Sequence, residues 1–201
     1  MRLEDVDFAQ QANTFWAVFL GAFLATIGGI AATQAEAWIH RRDRERDSAR
    51  LFGEILTTLH ALIRVAGQTR GIGDPYGPIT LRMLRAARRE LDVYDRNREA
   101  LAELRDRDMR AHLHSFMVRL TMPVDGVLDG SSEIAALRAS LRTPGLTEDL
   151  RAETEAMIAT AEARRDQGFD FIVEAGENIP GLMVDIGRIA RQAFKPYSTE
   201  P

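Results

Sequence analysis

The feature that most constrains this chain is a run of 28 residues without a charged side chain, between Asp7 and Glu36. The centre of the run, residues 15–32, contains no strongly polar side chain. A helix of about 20 apolar residues crosses a bilayer, because the hydrocarbon core is about 30 Å thick. A single segment can satisfy its own backbone groups in lipid only as a helix. We therefore expect this run to span a membrane.

The boundaries of the predicted span follow from its flanks. Trp16 and Trp38 lie at its two ends, where interfacial aromatic residues are often found. We assign a short outer tail to residues 1–13, a transmembrane helix to 14–38 and a juxtamembrane helix to 39–68.

The charges on either side of the span predict its orientation. Only Arg2 precedes the span, whereas five arginines follow it within a short stretch: Arg41, Arg42, Arg44, Arg46 and Arg50. Arginines close to a span are retained on the cytoplasmic side. We expect the N-terminus outside and everything after Trp38 in the cytoplasm. Anionic lipid headgroups would then contact Arg41, Arg42, Arg44 and Arg46.

Two alternatives for the apolar run stay open at this stage. One is a buried core helix of a soluble protein. The other is a cleaved signal peptide, because residues 35–37, Ala-Glu-Ala, have the small-x-small pattern of a cleavage site. Signal peptides, however, begin with positive charge and have apolar runs of about 7–15 residues. The acidic start and the longer run favour a span.

Small residues recur every four positions along the predicted span, at Gly21, Ala25 and Gly29. This spacing allows two helix backbones to approach closely in lipid. It is also common in membrane helices that bind nothing. The docking interpretation predicts a partner that is another transmembrane protein or a second copy of this chain.

The rest of the chain has the pattern of an antiparallel helical bundle, and the fold class we predict is all-α. Apolar residues recur at helical spacing, and no segment alternates with a period of two. Loops are predicted at 69–78 and at 143–145, where Gly and Pro cluster. A long helix is expected from Ile79 to Leu120, with a break conceivable near 106–108.

Four or five helices are expected in this cytoplasmic domain, which we assign to residues 79–196. Pro123 and the glycines of 125–130 predict a turn, followed by a short helix to about Leu141. Thr147 is placed as the N-cap of the next helix. Residues 178–180, Asn-Ile-Pro, are expected to begin the last helix, and Pro196 to follow its end.

Composition excludes several classes of site. The chain has no cysteine, which removes disulfides, thiolate metal sites and a cysteine nucleophile. The net charge is −4, which argues against a dedicated nucleic-acid binder. Lys195 is the only lysine among 26 basic residues, which we interpret as the codon bias of a GC-rich bacterial genome. We expect no cofactor and no metal.

Candidate catalytic residues are few. His112 and His114 are two residues apart and point in different directions on a helix, so they cannot share a metal. Asp108 and His112 lie one turn apart and could pair, with His60 added from another helix. These three are weak candidates for acid–base or ligand roles.

The function predicted from the sequence is a single-pass, membrane-anchored helical interaction protein. It would serve as a scaffold or an accessory subunit of a complex in the inner (plasma) membrane. One alternative is a membrane-tethered sensor or enzyme that uses the bundle interior. Another is a protein that binds the surface of anionic lipid through its arginine cluster.

Overall fold

The computed structural model describes residues 4–196, with side chains from Trp16 onward except at position 17. Within these residues the protein is helical and has no strand. Helix α1 runs from Glu4 to Arg70 without a break. Residues 4–13 of the predicted outer tail are thus helical, and residues 1–3 lie outside the described residues. The predicted continuity from the apolar run into the 39–68 segment is confirmed.

The chain divides into two compact units, and the boundary lies within α1. The first unit ends at Arg44 and the second begins at Glu45. The first unit consists of the N-terminal part of α1. The second, which we call the helical unit, contains the rest of α1 and all later elements.

Three further α-helices complete the helical unit: α2 (Pro78–Arg96), α3 (Arg107–Ser140) and α4 (Glu148–Ala190). The predicted loop after α1 is confirmed, since residues 71–77 form turns in which Gly73 has a φ of +79°. The break before α4 is also confirmed, and Thr147 occupies the N-cap position of α4.

The single long helix expected from Ile79 to Leu120 is wrong, because the chain leaves the α-helix between Arg96 and Arg107, a break that begins before the 106–108 position considered from the sequence. A short 3₁₀ helix, Arg98–Glu103, follows α2. Asp106 then caps α3, because its carboxylate accepts hydrogen bonds from the backbone N–H groups of Asp108 and Met109 at 2.9 and 3.0 Å.

The turn predicted at 123–130 is wrong, because α3 continues through Pro123 and both glycines of that segment. A proline inside a helix removes one backbone hydrogen bond. The neighbouring Val124 and Val127, however, are fully buried in the core. The apolar contacts of these side chains hold the segment helical despite its composition.

The helix start predicted at 178–180 is wrong for the same reason. Helix α4 is continuous across Pro180, and Ile179, Leu182 and Met183 beside it are buried. Helix α3 therefore joins the end of the expected 79–120 helix to the short helix expected up to Leu141, and α4 joins the two helices expected after Thr147.

The core of the helical unit is a single apolar cluster to which all four α-helices contribute. Fully buried side chains include Phe52 and Leu56 on α1, Leu84 and Tyr94 on α2, Leu120 on α3 and Phe169 on α4. A second, smaller cluster joins the loop-side ends of α3 and α4, formed by Ile134, Ile158 and Ala161. The arrangement is the antiparallel bundle that the sequence predicts.

The contact between α1 and α4 provides a test of this packing. A Cβ atom on Gly176 would lie 2.8 Å from Cγ2 of Ile63, a β-branched side chain with little rotamer freedom. We expect Gly176→Ala to lower the free energy of unfolding by about 1–3 kcal/mol, the usual cost of overpacking a core. Denaturation in detergent, followed by circular dichroism, measures it.

Gly126→Ala is the matched control for that variant. Gly126 also lies inside a long helix, but a Cβ there meets nothing within 4 Å. Alanine should therefore stabilise the protein by about 0.5–1 kcal/mol through backbone entropy alone. Equal effects of the two substitutions would contradict the close α1–α4 contact.

Candidate functional site

The N-terminal part of α1 exposes its apolar side chains. Trp16 is 62 % exposed, Leu24 60 % and Ile30 59 %. Others on the same segment are comparably exposed: Val18, Phe19, Leu20, Phe23, Ile27, Trp38 and Ile39. Among the described residues this is the one helix long and apolar enough to cross a membrane, and none of its most apolar window is buried. By contrast, the apolar surface of soluble monomers is broken into patches of a few hundred Å².

The two threonine hydroxyls of this segment are satisfied by the helix itself. The Thr26 hydroxyl donates to the carbonyl of Ala22 at 2.8 Å, and the Thr33 hydroxyl to that of Gly29 at 2.9 Å. Neither hydroxyl depends on water for a hydrogen bond. Such internal satisfaction is what a segment in hydrocarbon requires.

The small-residue positions of this segment have no partner within the described chain. A Cβ at Gly21 or Gly29 would meet nothing within 4 Å, and Ala25 between them is exposed. The face defined by Gly21, Ala25 and Gly29 is therefore open to another helix.

The arginine cluster, formed by Arg41, Arg42, Arg44 and Arg46, directly follows the apolar segment along α1. The guanidinium of Arg42 lies 5.2 Å from the ring centre of Trp38, a cation–π contact. Arg41 and Arg44 are exposed, and Arg42 and Arg46 are half-buried. Within the helical unit, Arg50 pairs with Asp47 at 3.0 Å.

The three weak catalytic candidates lie in different environments. His60 is buried on α1, and this burial, helped by the charge of Arg64, lowers the pKa of its imidazole. Asp108 and His112 are exposed on α3. In the part of the chain that the structure describes, no group of three or more His, Asp or Glu side chains is placed to hold a metal ion.

Between α3 and α4 the surface has a groove of about 410 Å³, which we call the α3–α4 groove. Its apolar lining comes from Phe116, Phe171, Ala175 and Leu182. Its polar lining comes from His112, Ser115, Arg119, Glu174, Asn178 and Asp185. Of this set, sequence reasoning named only His112 as a candidate functional residue, because the groove forms only when α3 and α4 pack.

A second feature that sequence reasoning missed is the aromatic and ionic cluster that holds the α1–α2 loop. The ring of Tyr76 lies under the guanidinium of Arg165, 3.5 Å from its centre, and packs edge-on against Phe169. The Tyr76 hydroxyl donates to Asp166 at 2.5 Å. Arg70 pairs with Asp166 and Asp170. The only signal in the sequence is one aromatic residue inside a Gly- and Pro-rich loop.

Comparisons of the chain with protein-family models, with curated proteins and with solved structures find no match.

The loop cluster predicts an alkaline loss of stability. Burial, together with the bond to Asp166, raises the pKa of Tyr76 to about 12, above its value in an unfolded chain. Neutral Tyr76 therefore stabilises the fold fully below about pH 10, and this contribution falls as pH rises from 10 through 12. Tyr76→Phe should lower stability at pH 7 by about 1 kcal/mol through the lost hydrogen bond.

Chemical denaturation at pH 7 and at several values between pH 9 and pH 12 measures both effects. The variant should show a shallower decline than the wild type. Part of the decline should persist, because burial also raises the pKa of Tyr94 to about 12. Parallel curves for the two proteins would show that Tyr76 does not contribute to the alkaline transition.

Proposed function

We propose that this chain is a single-pass membrane protein whose helical unit binds other proteins at the membrane surface. The observation that carries the proposal is the apolar segment of α1, whose large side chains are about half exposed or more from Trp16 to Ile39. Leaving such side chains in water forgoes about 25 cal/mol for each Å² of apolar surface. Insertion into a bilayer removes that cost.

The proposed orientation places the residues after Trp38 in the cytoplasm. Arg41 and Arg44 are exposed at the end of the apolar segment, and Arg42 lies against Trp38. An amphipathic ring beside a guanidinium suits the headgroup zone, where both groups are favoured. The membrane is then the inner (plasma) membrane of a bacterium.

The proposed role is that of a scaffold or accessory subunit. A second transmembrane helix could dock on the open face of Gly21, Ala25 and Gly29, where nothing blocks its approach. Anchoring also confines the helical unit to the membrane surface, which raises the effective concentration of any second contact. No chemical step is needed for this role.

Membrane retention is the first test. We expect the chain to stay in the membrane fraction through an alkaline carbonate wash. Leu20→Arg combined with Leu24→Arg should release it, because each arginine at the centre of a span costs about 2.5–3.5 kcal/mol on insertion. The matched control is Leu20→Val with Leu24→Val, which keeps the segment apolar. Immunoblotting of the membrane and soluble fractions provides the measurement.

Two outcomes of that experiment would contradict the proposal. Complete release of the intact wild-type chain would mean that α1 does not span. A mature chain that begins after Ala37, identified by mass spectrometry, would mean that the segment is a cleaved signal peptide.

Topology is the second test. A fluorescent protein fused after residue 201 should fluoresce, and alkaline phosphatase fused at the same place should be inactive, if this end is cytoplasmic. Replacing Arg41, Arg42, Arg44 and Arg46 with Gln should raise phosphatase activity, because these charges set the orientation. Replacing the same number of distant arginines, at 82, 85, 138 and 142, should not. An active phosphatase fusion to the wild-type chain would reverse the assignment.

A further inference from the structure

One face of the helical unit, at and beside the α3–α4 groove, exposes apolar side chains. On α3 it includes Ser115, Val118 and Met122, which recur at helical spacing, and the last two are 45 % and 72 % exposed. On α4 it includes Phe171, which is 40 % exposed. Of these residues, Ser115 and Phe171 also line the α3–α4 groove. Exposed apolar side chains grouped around a groove are typical of a protein–protein contact.

The two sides of the groove carry opposite charges. The charged residue on the α3 side is Arg119, beside the polar imidazole of His112, and Glu174 and Asp185 line the α4 side. The Arg119 guanidinium lies 5.8 Å from the ring centre of Phe171 and pairs with no carboxylate among the described residues. Glu174 likewise has no ion pair within the described chain, whereas Asp185 pairs with Arg188 at 2.9 Å.

The packing register of α3 on α4 sets the heights of these charges along the bundle. A Cβ on Gly168 would contact Val127, and one on Gly130 would contact Arg165. The two helices are antiparallel, so each step of one residue toward the N-terminus of α3 corresponds to one residue toward the C-terminus of α4. Counting from these contacts, Arg119 and Glu174 lie within about 3 Å of each other along the helix axis. The same count places His112 and Asp185 within about 3 Å.

These positions determine which symmetric contact the face can make. A two-fold axis parallel to the helices brings α3 of one copy opposite α4 of the other, at equal heights. Each Arg119 then faces Glu174 of the other copy, and each His112 faces Asp185. The other two-fold axis in the plane of the face runs perpendicular to the helices. It places α3 against α3 and α4 against α4, so that charges of the same sign face each other. The charge pattern is therefore self-complementary for the parallel arrangement only, as an isologous interface requires.

We propose that the α3–α4 groove is a docking surface for a second copy of this chain, in a parallel two-fold dimer. Phe116 and Phe171 provide the apolar centre of the contact. The small side chain of Ala175 and the absence of one at Gly181 allow the second copy to approach α4 closely. The space beside Gly181 is open, since a Cβ there would meet nothing within 4 Å. The α4 lining runs from Phe171 to Asp185, about 21 Å along the helix.

The parallel arrangement also agrees with anchoring, and in this respect the inference rests on the proposed function. Parallel copies have their Glu45 ends on the same side, which is where each chain continues into its apolar segment. Two chains anchored in one membrane meet this condition. Confinement to the membrane raises their effective concentration, so a contact of this modest size suffices.

The experiment uses two full-length copies with different affinity tags, co-expressed and purified in mild detergent. Arg119→Glu alone and Glu174→Arg alone should each reduce copurification of identical copies about tenfold, because both contacts in each homodimer become repulsive. Co-expression of one Arg119→Glu copy with one Glu174→Arg copy should restore copurification to near the wild-type level. In that mixed pair, both cross-groove contacts again join opposite charges.

Controls separate this contact from other causes. Arg85→Glu and Glu153→Arg change exposed charges outside the groove and should leave copurification unchanged. Circular dichroism checks that each variant folds. Gly21→Leu, with Phe23→Leu as its own control, reports any contribution of the transmembrane face. If that face alone holds the copies together, Gly21→Leu abolishes copurification and the groove variants do not change it, which overturns the proposal.

Two further outcomes also overturn it. Wild-type copies that do not copurify show that the surface does not bind a second copy. Single variants that lose copurification without recovery in the mixed pair exclude the two-fold pairing. If the chain proves soluble, the same assay without detergent tests the groove, so that failure of anchoring and failure of docking give different results.

Discussion

The close approach of α1 and α4 is the constraint on which the rest of the structure depends. Where the two helices meet, Gly176 leaves room for Ile63, and Gly53 leaves room for the ring of Phe194, which follows α4. A Cβ atom at either glycine would lie closer than 3 Å to that neighbouring side chain, which would have to shift. Because α1 also carries the apolar segment, this packing makes a single helix both a member of the bundle and the proposed anchor.

The same contact decides which surface of α4 stays open. Gly176 and Val173 face α1, as the contacts of Ile63 and Gly67 show. Phe171, Glu174 and Asn178 lie on another side of α4 and line the α3–α4 groove with α3. Two neighbouring faces of one helix thus serve different purposes, one within the fold and one at its surface. The proposed docking depends on this division, because it leaves the Phe171 side of α4 at the surface.

Sequence patterns correctly predicted the helical class, the unbroken α1, and the loops after α1 and before α4. They failed at Pro123 and Pro180, where local composition favours an interruption. The reason is that buried neighbours such as Val127 and Ile179 gain more from apolar contacts than the helix loses at a proline. A prediction made only from the residues next to a proline in the sequence cannot include the energy of these tertiary contacts.

For the candidate sites, too, there is a physical reason why some features are evident from the sequence and others only from the structure. The sequence by itself determined the uncharged run, the small-residue spacing at Gly21, Ala25 and Gly29, and the arginines that follow, because these are properties of consecutive residues on one helix. Only the tertiary structure brought Arg119 to the same groove as Glu174, or placed Tyr76 beneath Arg165. Those residues are tens of positions apart, and their proximity depends on the register in which the helices pack.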